Sequence, residues 1–127
     1  MAWFSAHVIL YVKFKDGRQD SYPVWENIFL VQAGGEEEAM RKAVEYGKQG
    51  EGDSSGTFTW GGRPATWVLA GVRKLITCQG LASGPVGTSE EYPKDGTEVS
   101  YSQFEVADEE SLRKLADGEP VPIVYEE

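Results

Sequence analysis

The sequence predicts a single α+β domain built on an antiparallel sheet of four to five strands, with the element order ββαβββα. One long segment with period-two patterning, one segment with helical spacing, and later β-rich runs separated by glycine-containing turns support this prediction. A chain of 127 residues is the size of one domain. Because no internal repeat or change of composition divides the chain, we expect residues 1–127 to fold as one unit.

The first strand is predicted from residues 3–14, in which apolar residues alternate strictly along the chain. Its apolar face consists of Phe4, Ala6, Val8, Leu10, Val12 and Phe14. Its second face carries Trp3, Ser5, His7, Ile9, Tyr11 and Lys13. Asp16-Gly17 then predicts a hairpin turn, so residues 21–33 should return antiparallel to the first strand. Pro23 lacks an amide donor and is expected at an edge or a bulge.

The main helix is predicted over residues 36–46, after the break at Gly34-Gly35. Three glutamates in its first turn complement the positive end of the helix dipole. Small and apolar residues are spaced three and four apart, which predicts packing across the Phe4–Phe14 face of the sheet. Gly47 is expected to end the helix.

Two β-rich runs, residues 57–60 and 65–78, flank a turn at residues 61–64 and predict a second hairpin. Both faces of the longer run are half apolar, which suggests a central strand. Another strand is predicted at residues 97–106, followed by a short helix capped by Asp108 and closed by Gly118. Residues 48–56 and 79–96 are predicted as flexible loops, and residues 119–127 as an extended C-terminal tail.

The composition excludes several classes of partner. The net charge is −9, with 12 basic and 21 acidic residues, which disfavours binding to nucleic acid. No apolar run approaches the ~20 residues that span a bilayer, and no basic segment precedes the first apolar stretch, so neither a membrane segment nor a signal peptide is expected. A single cysteine excludes an intrachain disulfide. We therefore predict a cytoplasmic protein.

The common catalytic and metal-binding patterns are absent from the sequence. Cys78 and His7 are each the only residue of their type, so a thiolate–imidazole pair would need both, and Cys78 is expected to be a buried, inert thiol. Structural zinc usually requires three or four such ligands. No glycine pattern matches a P-loop or a dinucleotide-binding fingerprint. We expect no cofactor and no metal, and we assign no catalytic residue.

An aromatic and acidic set of residues remains as the candidate surface for a ligand or partner. Either Tyr22, Val24 and Glu26 or else Trp25 and Phe29 should join the second face of the first strand, depending on register. Two carboxylates, Glu26 and Glu98, could perform acid–base chemistry, lie at strand edges, or pair with Arg63 and Arg73. The candidate surface is Trp3, His7, Tyr11, Trp25, Glu26 and Glu98.

Several short blocks resemble a known family when taken in order. They are residues 3–6, 26–33, 37–39 with 42–43, 71–75, and 95–99 with Tyr101. In this order the blocks resemble the DUF4288 family of small bacterial domains of unknown function. The resemblance extends to about Phe104, whereas residues 79–94 and the last twenty or so residues depart from it. It implies a compact α+β domain and no assigned activity.

The first functional hypothesis is a non-enzymatic protein-binding or assembly module. Its partner is either another protein, such as a basic target, or a second copy that forms a homodimer through the aromatic face. The alternative is a small-ligand-binding domain or an enzyme that uses His7 with Glu26 or Glu98. The two hypotheses differ in whether these three residues converge in a concave pocket.

Overall fold

The computed structural model describes residues 1–78 and 95–125 and confirms the α+β class. The elements in chain order are β1 (Ala2–Phe14), β2 (Tyr22–Ala33), α1 (Glu36–Gln49), β3 (Thr59–Trp60), β4 (Arg63–Cys78), β5 (Glu98–Val106), α2 (Glu109–Ala116) and β6 (Val124–Tyr125). The strands form an antiparallel sheet in the order β3-β4-β1-β2-β5-β6. The two-residue β6 lies within the segment that the sequence predicts as an extended tail.

β1 is a central strand because it pairs with β2 on one side and with β4 on the other. Its residues Ala6, Val8, Ile9 and Val12 are 0% exposed. β4 lies between β3 and β1, as the sequence suggested, although the two-residue β3 pairs only with Arg63 and Pro64 of β4. Both faces of β4 are nevertheless partly buried, since the two helices pack on opposite faces of the sheet.

Helix α1 covers one end of the first face of the sheet, which we call the α1 face. The core there consists of Phe4, Ala6, Val8, Val31, Ala33, Ala39 and Ala43. The helix continues past Gly47 to Gln49, so the predicted end was wrong. A Cβ atom at Gly47 would lie 2.7 Å from Val8 Cγ1 and 2.8 Å from Leu69 Cδ1. Gly47 therefore allows close packing of helix on sheet and does not end the helix.

Helix α2 covers the opposite face, which we call the α2 face. Its core consists of Ile9, Tyr11, Val24, Phe104, Val106, Leu112 and Leu115. The predicted cap is confirmed, because the Ser111 N–H donates to Asp108 Oδ1 over 2.7 Å. Gly118 follows the helix with φ of 83°, a conformation that favours glycine.

The first predicted loop is partly helical and partly held against β4. Residues 48 and 49 belong to α1, and Gly52 exchanges backbone hydrogen bonds with Trp67 over 3.1 and 2.8 Å. Residues 79–94 of the second predicted loop lie outside the described residues. At its end, the Gly96 N–H donates to the Leu30 carbonyl over 2.7 Å. Within the described chain, neither helix has the length and hydrophobicity required to cross a membrane.

Candidate functional site

The residues predicted as one surface are divided between the two faces of the sheet. Trp3, His7, Tyr11 and Glu26 lie on the α2 face, whereas Trp25 and Glu98 lie on the α1 face. The register explains this division. Trp25 pairs with Leu10 on β1, and Glu98 pairs with Phe29 on β2. The structure thus selects the register in which Tyr22, Val24 and Glu26 join the second face of β1.

The aromatic row of β1 does not form an exposed contact surface. Trp3 is 4% exposed and Tyr11 is 7% exposed. Tyr11 packs edge to face with Tyr22 at a ring-centroid distance of 5.8 Å and belongs to the core beneath α2. The burial of Trp3 and Tyr11 corrects the expectation that this row is available for self-association. The chain's own second helix covers Tyr11.

Glu26 is the centre of a polar network on the α2 face. Its side chain is 9% exposed, and Oε2 lies 2.8 Å from His7 Nδ1 and accepts from Arg73 Nε over 3.1 Å. The pairing of Glu26 with Arg73 was one of the roles predicted for this carboxylate. A cavity of about 190 Å³ adjoins Glu26 and Arg73, and the rest of its lining is Phe104, Leu115, Glu119, Pro120, Val121 and Ile123.

The geometry restricts the acid–base pairs considered from the sequence, and it separates Cys78 from His7. His7 and Glu26 do converge, but Glu98 lies on the opposite face, so a His7–Glu98 pair is excluded. Cys78 pairs with Trp3, four residues along β1 from His7, which is roughly 13 Å at the rise of a strand. A thiolate–imidazole pair is therefore excluded. Cys78 is half-buried, not fully buried as expected.

A row of aromatic side chains crosses the other half of the α1 face. The Trp25 ring lies 5.3 Å from the Trp67 ring and 5.2 Å from the Tyr101 ring, measured between centroids. Phe58 and Trp60 extend the row, at 5.7 and 6.0 Å from Trp67. Tyr101 is 56% exposed and the other four side chains are partly exposed. The row is continuous across the sheet and accessible to solvent.

The fold creates this row because α1 ends before it covers the whole face. The helix stops at Gln49, and Gly50 packs directly over Leu10, where an added Cβ would lie 2.9 Å from Cδ1. Beyond the end of α1, β1 contributes the aliphatic residues Leu10 and Val12. Leu10 pairs with Trp25 on β2, and Val12 pairs with Trp67 on β4. The two indoles therefore meet above β1.

A cleft of about 190 Å³ lies between this row and the end of α1. Its lining is Leu10, Trp25, Asn27, Gly50, Trp67 and Glu98. Trp25 Nε1 and Asn27 Oδ1 are buried and have no hydrogen-bond partner among the described residues. Glu98 is exposed and forms no ion pair within residues 1–78 and 95–125. We call the cleft and the adjoining aromatic row, which includes Tyr101, together the aromatic cleft.

The described groups around the aromatic cleft carry negative charge. Glu98 supplies a carboxylate, the C-terminal end of α1 supplies partial negative charge, and the indole faces carry negative π density. The part of the lining that the structure describes contains no Lys or Arg, and Lys48 in the last turn of α1 is exposed to solvent. The described lining of the cleft therefore carries more negative than positive charge.

An ion pair beside the cleft fixes the start of β5. Asp95 accepts from the Lys42 ammonium over 2.7 Å and from the Gln32 N–H over 2.9 Å. Burial opposes ionisation of Asp95, but these two donors outweigh it and lower the pKa of the carboxyl. The hydrogen bond to Asp95 correspondingly raises the pKa of Lys42. Burial raises the pKa of Tyr46, and the Asp95 charge adds to this effect.

Comparison with known proteins gives a family and no activity. The model of the family described as Domain of unknown function (DUF4288) matches residues 3–100. The chain belongs to the DUF4288 family. The match includes the cleft-lining residues, whereas α2 and β6 lie beyond it. Searches of curated proteins and of solved structures found no match to this DUF4288 chain.

Sequence reasoning missed most of the aromatic cleft of this DUF4288 domain. It singled out Trp25 and Glu98 but not Trp67, Asn27 or Tyr101. The available signal was the density of aromatic residues around the second hairpin, at positions 58, 60 and 67. Elsewhere, the described residues contain no group of three or more His, Cys, Asp and Glu side chains that could hold a metal ion.

Proposed function

We propose that this DUF4288 domain is a non-enzymatic protein-binding module whose contact site is the aromatic cleft. The observation that carries the proposal is the combination, in one cleft, of solvent-accessible aromatic rings and two buried polar atoms without partners among the described residues. An unpaired buried polar atom costs about 1–3 kcal/mol, so a partner that pairs with these atoms gains affinity. Aromatic residues are enriched where proteins bind one another.

The size of the cleft supports a protein partner over a large cofactor. Its volume of about 190 Å³ is below the range of roughly 300–1,000 Å³ that is usual for small-molecule sites. A volume of this size suits one inserted side chain of a larger partner. The net charge of −9 favours a basic partner, since complementary fields accelerate encounter.

The chemistry of the two buried atoms also supports a peptide. Trp25 Nε1–H is a donor, and the Asn27 amide can present either its oxygen or its nitrogen after rotation of the side chain. Because both atoms are buried, pairing with a ligand requires a small side-chain rotation that opens the base of the cleft. A peptide carries carbonyl acceptors and N–H donors together, so it can satisfy both atoms.

Selection from a random peptide library displayed on phage tests this proposal. Peptides enriched on the wild-type domain should lose binding to Trp67→Leu and Tyr101→Ala, and should keep binding to Met40→Ala, which changes an exposed residue of α1. Circular dichroism establishes that each variant is folded. If folded cleft variants retained every selected peptide, the cleft would not be the contact site.

The enzyme alternative is favoured by one observation, the 2.8 Å contact between His7 and Glu26 beside a cavity. A carboxylate on Nδ1 can orient the second ring nitrogen as a base. Arg73 neutralises the same oxygen, however, so the arrangement also serves as a buried structural pair. Peptides or ligands that shift the NMR signals of His7 and leave the tryptophan indole signals unchanged would favour this alternative.

Self-association remains a prediction that the same sample can test. A dimer that required the Trp3 and Tyr11 side chains could not form, because both are buried. If the chain has no other self-association surface, light scattering at micromolar concentration should give the mass of a monomer. A stable dimer that persists in Trp67→Leu would show that a surface outside the aromatic cleft associates.

A further inference from the structure

We propose that the aromatic cleft binds a guanidinium group, presented by an arginine side chain of the basic partner. This inference rests on the proposed function and specifies the chemistry of the inserted side chain. It follows from three features of the molecule: the negative charge around the cleft, the contacts of the chain's own arginines, and the aromatic and polar groups that line the cleft.

The described groups around the cleft are negatively charged or carry partial negative charge, and no cation of the described chain neutralises them. Among the described lining residues, Glu98 is charged and neither Lys nor Arg is present. The end of α1 at Gly50 and the indole faces of Trp25 and Trp67 add partial negative charge. A cation that enters the cleft therefore gains from the carboxylate, the helix end and the rings together.

The chain itself shows how such sites are filled. Arg63 stacks on the Phe14 ring at 3.9 Å and donates to Asp16 over 3.0 Å. Arg73 donates to Glu26, the buried carboxylate of the α2 face. The Arg63 guanidinium thus stacks on a ring and pairs with a carboxylate at the same time. The aromatic cleft offers the same two groups to a guanidinium from another chain.

Arginine fits this set better than lysine. The guanidinium is planar, stacks on aromatic faces, and is more weakly hydrated than an ammonium, so it loses less when it leaves water. Its fork of N–H donors can pair with Glu98 and, once the base of the cleft opens, with Asn27 Oδ1, a buried acceptor without a partner among the described residues. Trp25 Nε1–H is a donor and requires a carbonyl, which the backbone of an arginine-containing peptide supplies.

A titration with four matched peptides tests the inference. The probes are acetyl-Gly-X-Gly-amide, in which X is arginine, lysine, trimethyl-lysine or citrulline, the neutral isostere of arginine. Binding is followed by the indole ¹H–¹⁵N signals of the wild-type domain, assigned with Trp25→Phe and Trp67→Phe. The arginine peptide should shift both indole signals and bind about fivefold or more tightly than the citrulline peptide.

Glu98→Gln provides the matched variant, because Glu98 is exposed and its replacement should not affect folding. It should weaken binding of the arginine peptide about fivefold and leave binding of the citrulline peptide unchanged. The four affinities form a double-mutant cycle that measures the coupling between Glu98 and the guanidinium. Added salt should weaken binding of the arginine peptide and should not weaken binding of the neutral citrulline peptide.

Each other outcome overturns the inference in a distinguishable way. Equal affinity of the arginine and citrulline peptides, with indole shifts, would reject the guanidinium and retain the cleft as a binding site. Tightest binding by trimethyl-lysine would assign the cleft to an alkylated ammonium. Tightest binding by lysine would reject the requirement for a planar cation. No indole shift with any of the four peptides would overturn both this inference and the proposed function.

Discussion

The two faces of the sheet each carry a cavity of about 190 Å³ with glutamate in its lining, yet the environments of Glu26 and Glu98 are opposite. On the α2 face, Glu26 is buried and its carboxylate is already paired with Arg73 and His7. On the α1 face, Glu98 is exposed without a partner among the described residues and stands beside partly exposed indoles. The first carboxylate serves the fold, and the second is available to another molecule.

The largest effect on stability is expected at the centre of the α2 face. Leu112 is 0% exposed and packs with Ile9 and Phe104 beneath α2. Leu112→Ala should lower the free energy of unfolding by about 2–5 kcal/mol, because it removes buried contacts and leaves a cavity. Urea unfolding followed by tryptophan fluorescence measures this loss. A loss of less than about 1 kcal/mol would mean that α2 contributes little to the core.

A smaller effect is expected where α2 leads back towards β4. Gly118 has φ of 83°, and an added Cβ would lie 2.8 Å from the Arg73 carbonyl oxygen. Gly118→Ala should cost about 1–3 kcal/mol, because the backbone of β4 cannot move aside easily. Gly62→Ala is the matched control, since Gly62 has φ of 80° with nothing within 4 Å. Equal costs in the two variants would show that backbone conformation alone, without the clash, accounts for the loss.

The smallest effect concerns Asp95, which holds the start of β5 near the aromatic cleft. Folding lowers its pKa below the ordinary value of 3.8, so its contribution to stability is present above that pH and is lost as the pH falls through the folded value. Asp95→Asn should cost about 0.5–1 kcal/mol at neutral pH and should reduce the loss of stability on acidification below about pH 4. Urea unfolding at several pH values measures both changes.

Asp20→Asn is the control for this measurement, because Asp20 and its partner Arg18 are both highly exposed, at 76% and 88% of the side chain. Its effect at neutral pH should be within about 0.5 kcal/mol. If Asp95→Asn were no different from Asp20→Asn, the contacts with Lys42 and Gln32 would not stabilise the fold.

Local patterns in the sequence predicted most of the fold. The period-two run of β1, its antiparallel pairing with β2 and the Asp108 cap were predicted from neighbouring residues. The connection between β1 and β2 is longer than the predicted Asp16-Gly17 turn, because β1 ends at Phe14 and β2 begins at Tyr22. The extension of α1 beyond Gly47 was not predicted, because it depends on contact with Val8 and Leu69. The pairing of β1 with β4 includes two register shifts, near residues 7–8 and 9–10, which no local pattern indicates.

The candidate site was predicted only in part for the same reason. Periodicity placed His7 and Tyr11 together on one face of β1, but it could not show that α2 would cover that face. The aromatic cleft combines residues from four strands and the end of α1, and these meet only through long-range pairing. The sequence therefore indicated candidate site residues, but it did not indicate which face of the sheet the helices would leave exposed to solvent.

The most direct test of this account makes the same substitution on both faces. Glu26→Gln should lower the free energy of unfolding by about 1–3 kcal/mol, because it weakens a buried, charge-assisted pair, and should leave the affinity for the arginine peptide unchanged. Glu98→Gln should alter stability by less than about 0.5 kcal/mol and should weaken binding of that peptide by up to about fivefold, because an exposed ion pair is lost. The reverse pattern, with peptide affinity dependent on Glu26 and stability dependent on Glu98, would contradict the assignment of the two faces.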